Sequence, residues 1–167
     1  MSDLELPELN DAMFQLGSAL IVATVAPDGE PRAARASSWR LVDAASRRLR
    51  LAVAANDPVI VDNLTRDGAD GSGAYLAVTG ADVATLRSVQ VKGRVVAVEP
   101  PDDNDLELID QYADVLAGKI QATDGHPREV VLRFLPTEYV MVEMLVDEAY
   151  DQTPGPAAGA VLREQWT

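Results

Sequence analysis

The segment SALIVATVAPDGEPRAARASSWRLV, residues 18–42, decides the fold. From Ser18 to Ala26 it is apolar and rich in β-branched residues, the composition of a buried strand. Pro27, Asp28 and Gly29 then supply the chemistry of a tight turn, and the chain returns as a second strand from Pro31. The two strands make a hairpin, and a hairpin at the start points to a sheet built by antiparallel neighbours.

Working outward, LRLAVAA reads as a third strand and AYLAVTG as a fourth, with LRSVQVKGRV (86–95) opening a fifth that runs to about Glu99. REVVLRFLP and TEYVMVEMLV read as two more, interrupted by Pro136. A short amphipathic helix is expected over 6–16. A second is expected after Asp57, which can cap it, with Pro58 at its first position and Gly68 as its stop. The best helix follows PPDDND. Asp102 or Asp103 caps it, and Leu106, Ile109, Tyr112, Ala113 and Leu116 form one apolar stripe. Six or seven short, mostly antiparallel strands with short peripheral helices and one longer late helix predict a mainly β barrel with helices at its ends. One domain over 1–147 and a Pro/Gly-rich arm over 148–167 account for all 167 residues.

Composition narrows the function. The chain has 27 acidic and 14 basic residues, a formal charge of -13, which argues against nucleic acid and anionic membrane as partners. It has no cysteine and one histidine, His126, placed in the turn TDGHPRE, so thiolate and multi-histidine metal centres are excluded. Nothing resembles a secretory signal or a membrane span, and a cytoplasmic protein is expected. No dinucleotide fingerprint or P-loop occurs, and no spacing of carboxylates singles out a catalytic pair.

Against this acidity the clustered cations stand out. Alternation in the fifth strand sends Val89, Val91 and Val95 to one face and Ser88, Gln90, Lys92 and Arg94 to the other. The second set carries a hydroxyl, an amide, an ammonium and a guanidinium, suited either to an anionic ligand or to plain solvent. Gly93 inside the strand marks a bulge or a close approach of ligand or backbone. In the second strand, alternation puts Arg35, Ser37 and Trp39 on one face and Ala34, Ala36 and Ser38 on the other. Small residues beside an arginine leave room for a flat ligand, or for a helix packed on the strand.

ALIVATVAPDGEPRAARASSWRL, LRSVQVKGRV and YDQTPGPAAGAVL together resemble the FMN-binding split barrels of the pyridoxamine 5′-phosphate oxidase-like superfamily, within a poorly characterised bacterial branch. The resemblance implies a homodimer with FMN in clefts at the subunit interface. It places Arg35, Ala36, Ser37 and Ser38 against the phosphate and ring, and it sets Arg87 and Ser88 where the family has Arg-Gln, with Gln90 on the same face as Ser88. The Arg-Lys pair that the true oxidases carry after the third strand is missing from NDPVIVDNL, which makes Lys92 the expected replacement. The family's substrate-binding Trp and Arg are not recognisable in the tail, so pyridoxamine phosphate oxidation is not expected. The implied activity is an FMN-dependent oxidoreductase working between a reduced nicotinamide and a small acceptor. The alternatives are a non-catalytic protein that stores or senses flavin, and a barrel holding a deazaflavin (F420) or haem.

Overall fold

The computed structural model describes residues 16–43, 46–66 and 73–162. The helix expected over 6–16 lies outside these residues except for its last position, as do Gly68 and most of the glycine-rich loop after it. Among the described residues nine elements follow in order: β1 (Ser18–Val25), β2 (Pro31–Asp43), β3 (Arg48–Ala54), α1 (Pro58–Thr65), β4 (Tyr75–Asp82), β5 (Ser88–Glu99), α2 (Asp103–Asp124), α3 (Arg128–Leu132) and β6 (Tyr139–Asp151). The strands close into an antiparallel barrel in the order β1-β2-β3-β6-β5-β4. No helix among the described residues is long and apolar enough to cross a membrane.

The barrel interior is the core. Leu20 and Val22 of β1, Leu49, Leu51 and Val53 of β3, Leu76 and Val78 of β4, and Val89 and Val91 of β5 meet Val142, Met144 and Val146 of β6. Trp39 fills the space above Gly80, where an added Cβ would lie 2.6 Å from the indole ring. At one end α1 inserts Ile60 and Leu64 into the core; Asp57 caps it by accepting the Val59 N–H at 2.9 Å. From α2, Tyr112 and Leu116 join the same core, and the Tyr112 hydroxyl donates to the Ser18 carbonyl. Asp102 caps α2 in a reciprocal box with Asp105. Ile109 of α2 packs outside the barrel on Ala52 and Met141, so β3 is covered on both faces.

Three readings are corrected. REVVLRFLP is not a strand: α3 and a following turn occupy it, and β6 alone pairs with both β3 and β5, leaving no edge for a seventh strand. Its two valines imitate strand composition, but Pro127 leads the segment into a helical turn, with Val131 N donating to its carbonyl at 3.2 Å. Leu86 and Arg87 belong to the β4–β5 turn, Leu86 at φ 60, so β5 starts at Ser88. Finally, Trp39 leaves the Arg35 face. A β-bulge between Ser37 and Trp39, with Ser38 at φ 56, inserts one residue and turns the indole inward beside Ala36.

Beyond the barrel the chain folds back on its own β6. Asp151 N donates to Ala160 O at 3.0 Å, Leu162 N to Ala149 O at 2.8 Å, and Gln152 N to Ser88 O at 2.8 Å. β6 itself runs to Asp151, past the 147/148 boundary drawn from composition.

Candidate functional site

Register turns the outer wall of the barrel into rows. Ile21 pairs with Arg35 on β2 and with Thr79 on β4, Thr79 pairs with Gln90 on β5, and Gln90 pairs with Tyr150 on β6. One step along, Ala33, Ala23, Ala77, Lys92 and Glu148 form the next row. Tyr75 and Val25, both exposed, stand beside these rows together with Ile21. The wall is therefore a shallow shelf of small and apolar side chains with Arg35 toward one edge and Gln90 and Lys92 toward the other. Neighbouring strands lie about 4.8 Å apart, so Arg35 and Gln90 are separated by roughly 14 Å within one chain.

The alternation expected for β5 holds. Val89, Val91 and Val95 are buried in the core, Gln90 and Lys92 are half-buried on the outer wall, and Arg94 is exposed. Gln90 Nε2 donates to Thr79 Oγ1 at 3.0 Å. Lys92 Nζ lies 4.6 Å from the centre of the Tyr150 ring, a cation–π distance. Tyr150 in turn donates its hydroxyl to Glu148 at 2.5 Å, and that bond, with the carboxylate's charge, raises the phenol above its ordinary pKa. Arg94 reaches Asp147 at 3.8 Å. The two cations of this row, Lys92 and Arg94, are thus answered by two acids on β6. Burial and then Glu148 and Asp147 hold the Tyr75 phenol above its usual range as well. Gly93 serves backbone packing: an added Cβ would come within 1.9 Å of the Leu145 carbonyl oxygen, beside a break in the β5–β6 register.

The other residues singled out in sequence lie elsewhere. Ala36 is in the core, and Ser37 is fully buried with its hydroxyl donating to Tyr139 Oη at 3.1 Å. Ser38 is buried, and among the described residues its hydroxyl has no hydrogen-bond partner. Ser88 is buried under the C-terminal arm, where its N–H donates to Thr153 Oγ1 at 3.1 Å. Arg87 sits in a turn organised by Asp82, which accepts the backbone N–H groups of Ala84 and Thr85 at 3.1 and 2.9 Å. Lys119 donates to the same carboxylate at 2.8 Å. Burial raises the Asp82 pKa, but the bonds from Lys119 and Thr85 outweigh it and bring it down to about 2.

Arg35 leans away from β5. It lines a cleft of about 270 Å³ between β2 and the α2–α3 pair, and His126 lines the same cleft. Sequence placed His126 in a turn, correctly, but gave no sign that the turn would return to Arg35. Also missed was a buried ionic cluster. Arg50, on the outer face of β3, donates to Asp105 at 2.6 and 3.1 Å and to Glu99 and Glu143 at 3.2 Å each. Its four members lie on four elements, β3, β5, α2 and β6, so only the barrel pairing brings them together. Thr79 and Tyr150 could have been found from sequence only with the register in hand.

No protein-family model matches the chain, and no curated protein matches it. Solved structures do. A HupZ variant from Group A Streptococcus is similar at 15% identity and a TM-score of 0.50, over 89% of this chain and 99% of that one. An F420 reductase gives 18% identity and a TM-score of 0.49 over 83% and 94%. A pyridoxamine 5′-phosphate oxidase-related, FMN-binding protein from Nostoc punctiforme gives 16% and 0.40 over 83% and 75%. At these identities the likeness is one of fold. The chain has the split-barrel fold, and the resemblance seen in its sequence to the pyridoxamine 5′-phosphate oxidase-like split barrels stands at that level.

Proposed function

We propose that the protein is a flavin-binding oxidoreductase that holds FMN between two copies of the chain. The observation that carries this reading is the shelf on β1, β4 and β5, where an apolar floor of Ala23 and Ala77 runs directly into Gln90 and Lys92. The donor set fits the group: an ammonium, an amide and the Thr79 hydroxyl suit a phosphate or a polar ring edge, and the alanines suit a flat ring. One barrel wall offers a ring only one side, and exposed Ile21, Val25 and Tyr75 mark the same wall as an interaction surface. A second copy closing on it supplies the other side. The flavin supplies the redox chemistry when bound; the chain supplies position, charge and exclusion of water.

The test is an absorption spectrum of the purified protein followed by FMN titration of wild type and Lys92→Ala. A charge-assisted contact contributes about 1.5–3 kcal/mol, so Lys92→Ala is expected to weaken FMN at least about tenfold. A deazaflavin or haem spectrum would replace the cofactor assignment. Bound flavin that neither NADH nor NADPH reduces would make the protein a carrier or sensor, and no binding of any of these would overturn the reading.

A further inference from the structure

The cleft beside Arg35 has its own chemistry. Gly125, at φ 73, ends α2 and turns the chain into α3, and Arg128 then ties the two helices by bonding the carboxylate and the carbonyl of Asp114. Between this clamp and β2 the walls are apolar: buried Leu116 and Val131, partly buried Ile120, and Phe134, which leaves 69% of its surface exposed at the mouth. Two polar residues line the same cleft, Arg35 and His126, both exposed to solvent at its edge.

Arg32, Arg40, Arg48, Arg50, Arg94 and Arg128 each lie within ion-pair distance of a carboxylate. Among the described residues Arg35, like Arg66 and Arg133, has no such partner, and of these three Arg35 lines the cleft. A fork of donors at the edge of an apolar wall is complementary to a carboxylate carrying a hydrocarbon body. Size limits the body. At about 30 Å³ per water-sized group, 270 Å³ holds about nine such groups. This cleft lies apart from the shelf on β1, β4 and β5 to which the flavin reading assigns FMN. We propose that it binds a small amphiphilic monocarboxylate, with the carboxylate on Arg35 beside His126 and the hydrocarbon against Leu116, Ile120 and Phe134.

Because His126 is the sole histidine, its ring protons give one resolved reporter in a proton NMR spectrum of the full chain. Titration at fixed pH with sodium octanoate is expected to shift that signal saturably with a Kd at or below about 1 mM. Neutral 1-octanol should bind at least about tenfold more weakly, and Arg35→Gln should remove that difference by weakening octanoate alone. Ile120→Trp should fill the cleft and abolish binding of both, with the fold checked by circular dichroism and FMN affinity unchanged. Failure here is thereby separate from failure of the flavin reading. The absence of any saturable shift, or equal affinity for octanoate and octanol in wild type, would overturn the proposal.

Discussion

The Arg50 guanidinium holds the Asp105 carboxylate through two hydrogen bonds, Nη2 to Oδ2 at 2.6 Å and Nε to Oδ1 at 3.1 Å, with both side chains almost entirely removed from water. Asp105 also closes the capping box of α2, so one carboxylate fixes the helix start and docks it on β3. Hydrogen bonding from Arg50 holds its pKa below the ordinary range despite burial. Asp105→Asn leaves a buried guanidinium short of charge and is expected to cost about 3–5 kcal/mol in urea denaturation. The double variant Arg50→Met, Asp105→Leu should recover a large part of that loss. A single variant as stable as wild type would mean that Glu99 and Glu143 alone satisfy Arg50.

The Asp82–Lys119 pair predicts an acid-labile contribution. The folded pKa of Asp82, about 2, lies below its ordinary value of 3.8, so the stabilisation is complete above about pH 4 and fades as pH falls toward 2. Lys119→Met should therefore lower stability at neutral pH, by about 1.5 kcal/mol, because the lysine is partly exposed and its bond falls at the low end for charged partners. The gap between the two proteins should shrink steadily from pH 4 to pH 2. Denaturant melts at half-unit intervals measure it. A gap that stays constant over that range would exclude the pairing as its source.

The hairpin, the capped helices and the core face of β5 were legible in the sequence because each depends on local chemistry: turn residues, cap residues and strict alternation. What failed depends on partners far along the chain. Trp39 changed faces because of a bulge that only the pairing with β3 imposes, and alternation beyond Ser38 was lost with it. Val130 and Val131 were misread because β-branched pairs occur in short helices as well as in strands, and β6 had already filled the remaining barrel position. The cations at Lys92 and Arg94 were correctly placed on the outer wall. Their acidic neighbours Asp147 and Glu148, more than fifty residues on, were invisible until register aligned β5 with β6.

Gly93 and Gly80 should respond differently to alanine. At Gly93 the added methyl meets the Leu145 carbonyl oxygen at 1.9 Å, and relief requires separating β5 from β6. At Gly80 it meets the Trp39 ring at 2.6 Å, a side chain that can shift within the barrel. Overpacking costs about 1–3 kcal/mol, so Gly80→Ala belongs in that range and Gly93→Ala above it. Thermal melts of both variants rank them. The reverse order would mean that the β5–β6 bulge yields more readily than the indole.

Ser38 combines two costs. Its backbone sits at φ 56, where a non-glycine residue is strained by about 1–2 kcal/mol, and its hydroxyl is buried without a partner among the described residues. Ser38→Gly removes both while adding backbone freedom to the unfolded chain, a penalty of about 0.5–1 kcal/mol. The net expectation is stabilisation of about 1 kcal/mol, read as a higher urea midpoint at unchanged slope. Ser38→Ala separates the contributions, since it removes the hydroxyl and keeps the strain, and its gain should be the smaller of the two. If both variants instead lose stability, the hydroxyl has a bonding partner in solution, and an ordered water at the β2 bulge becomes the group to look for.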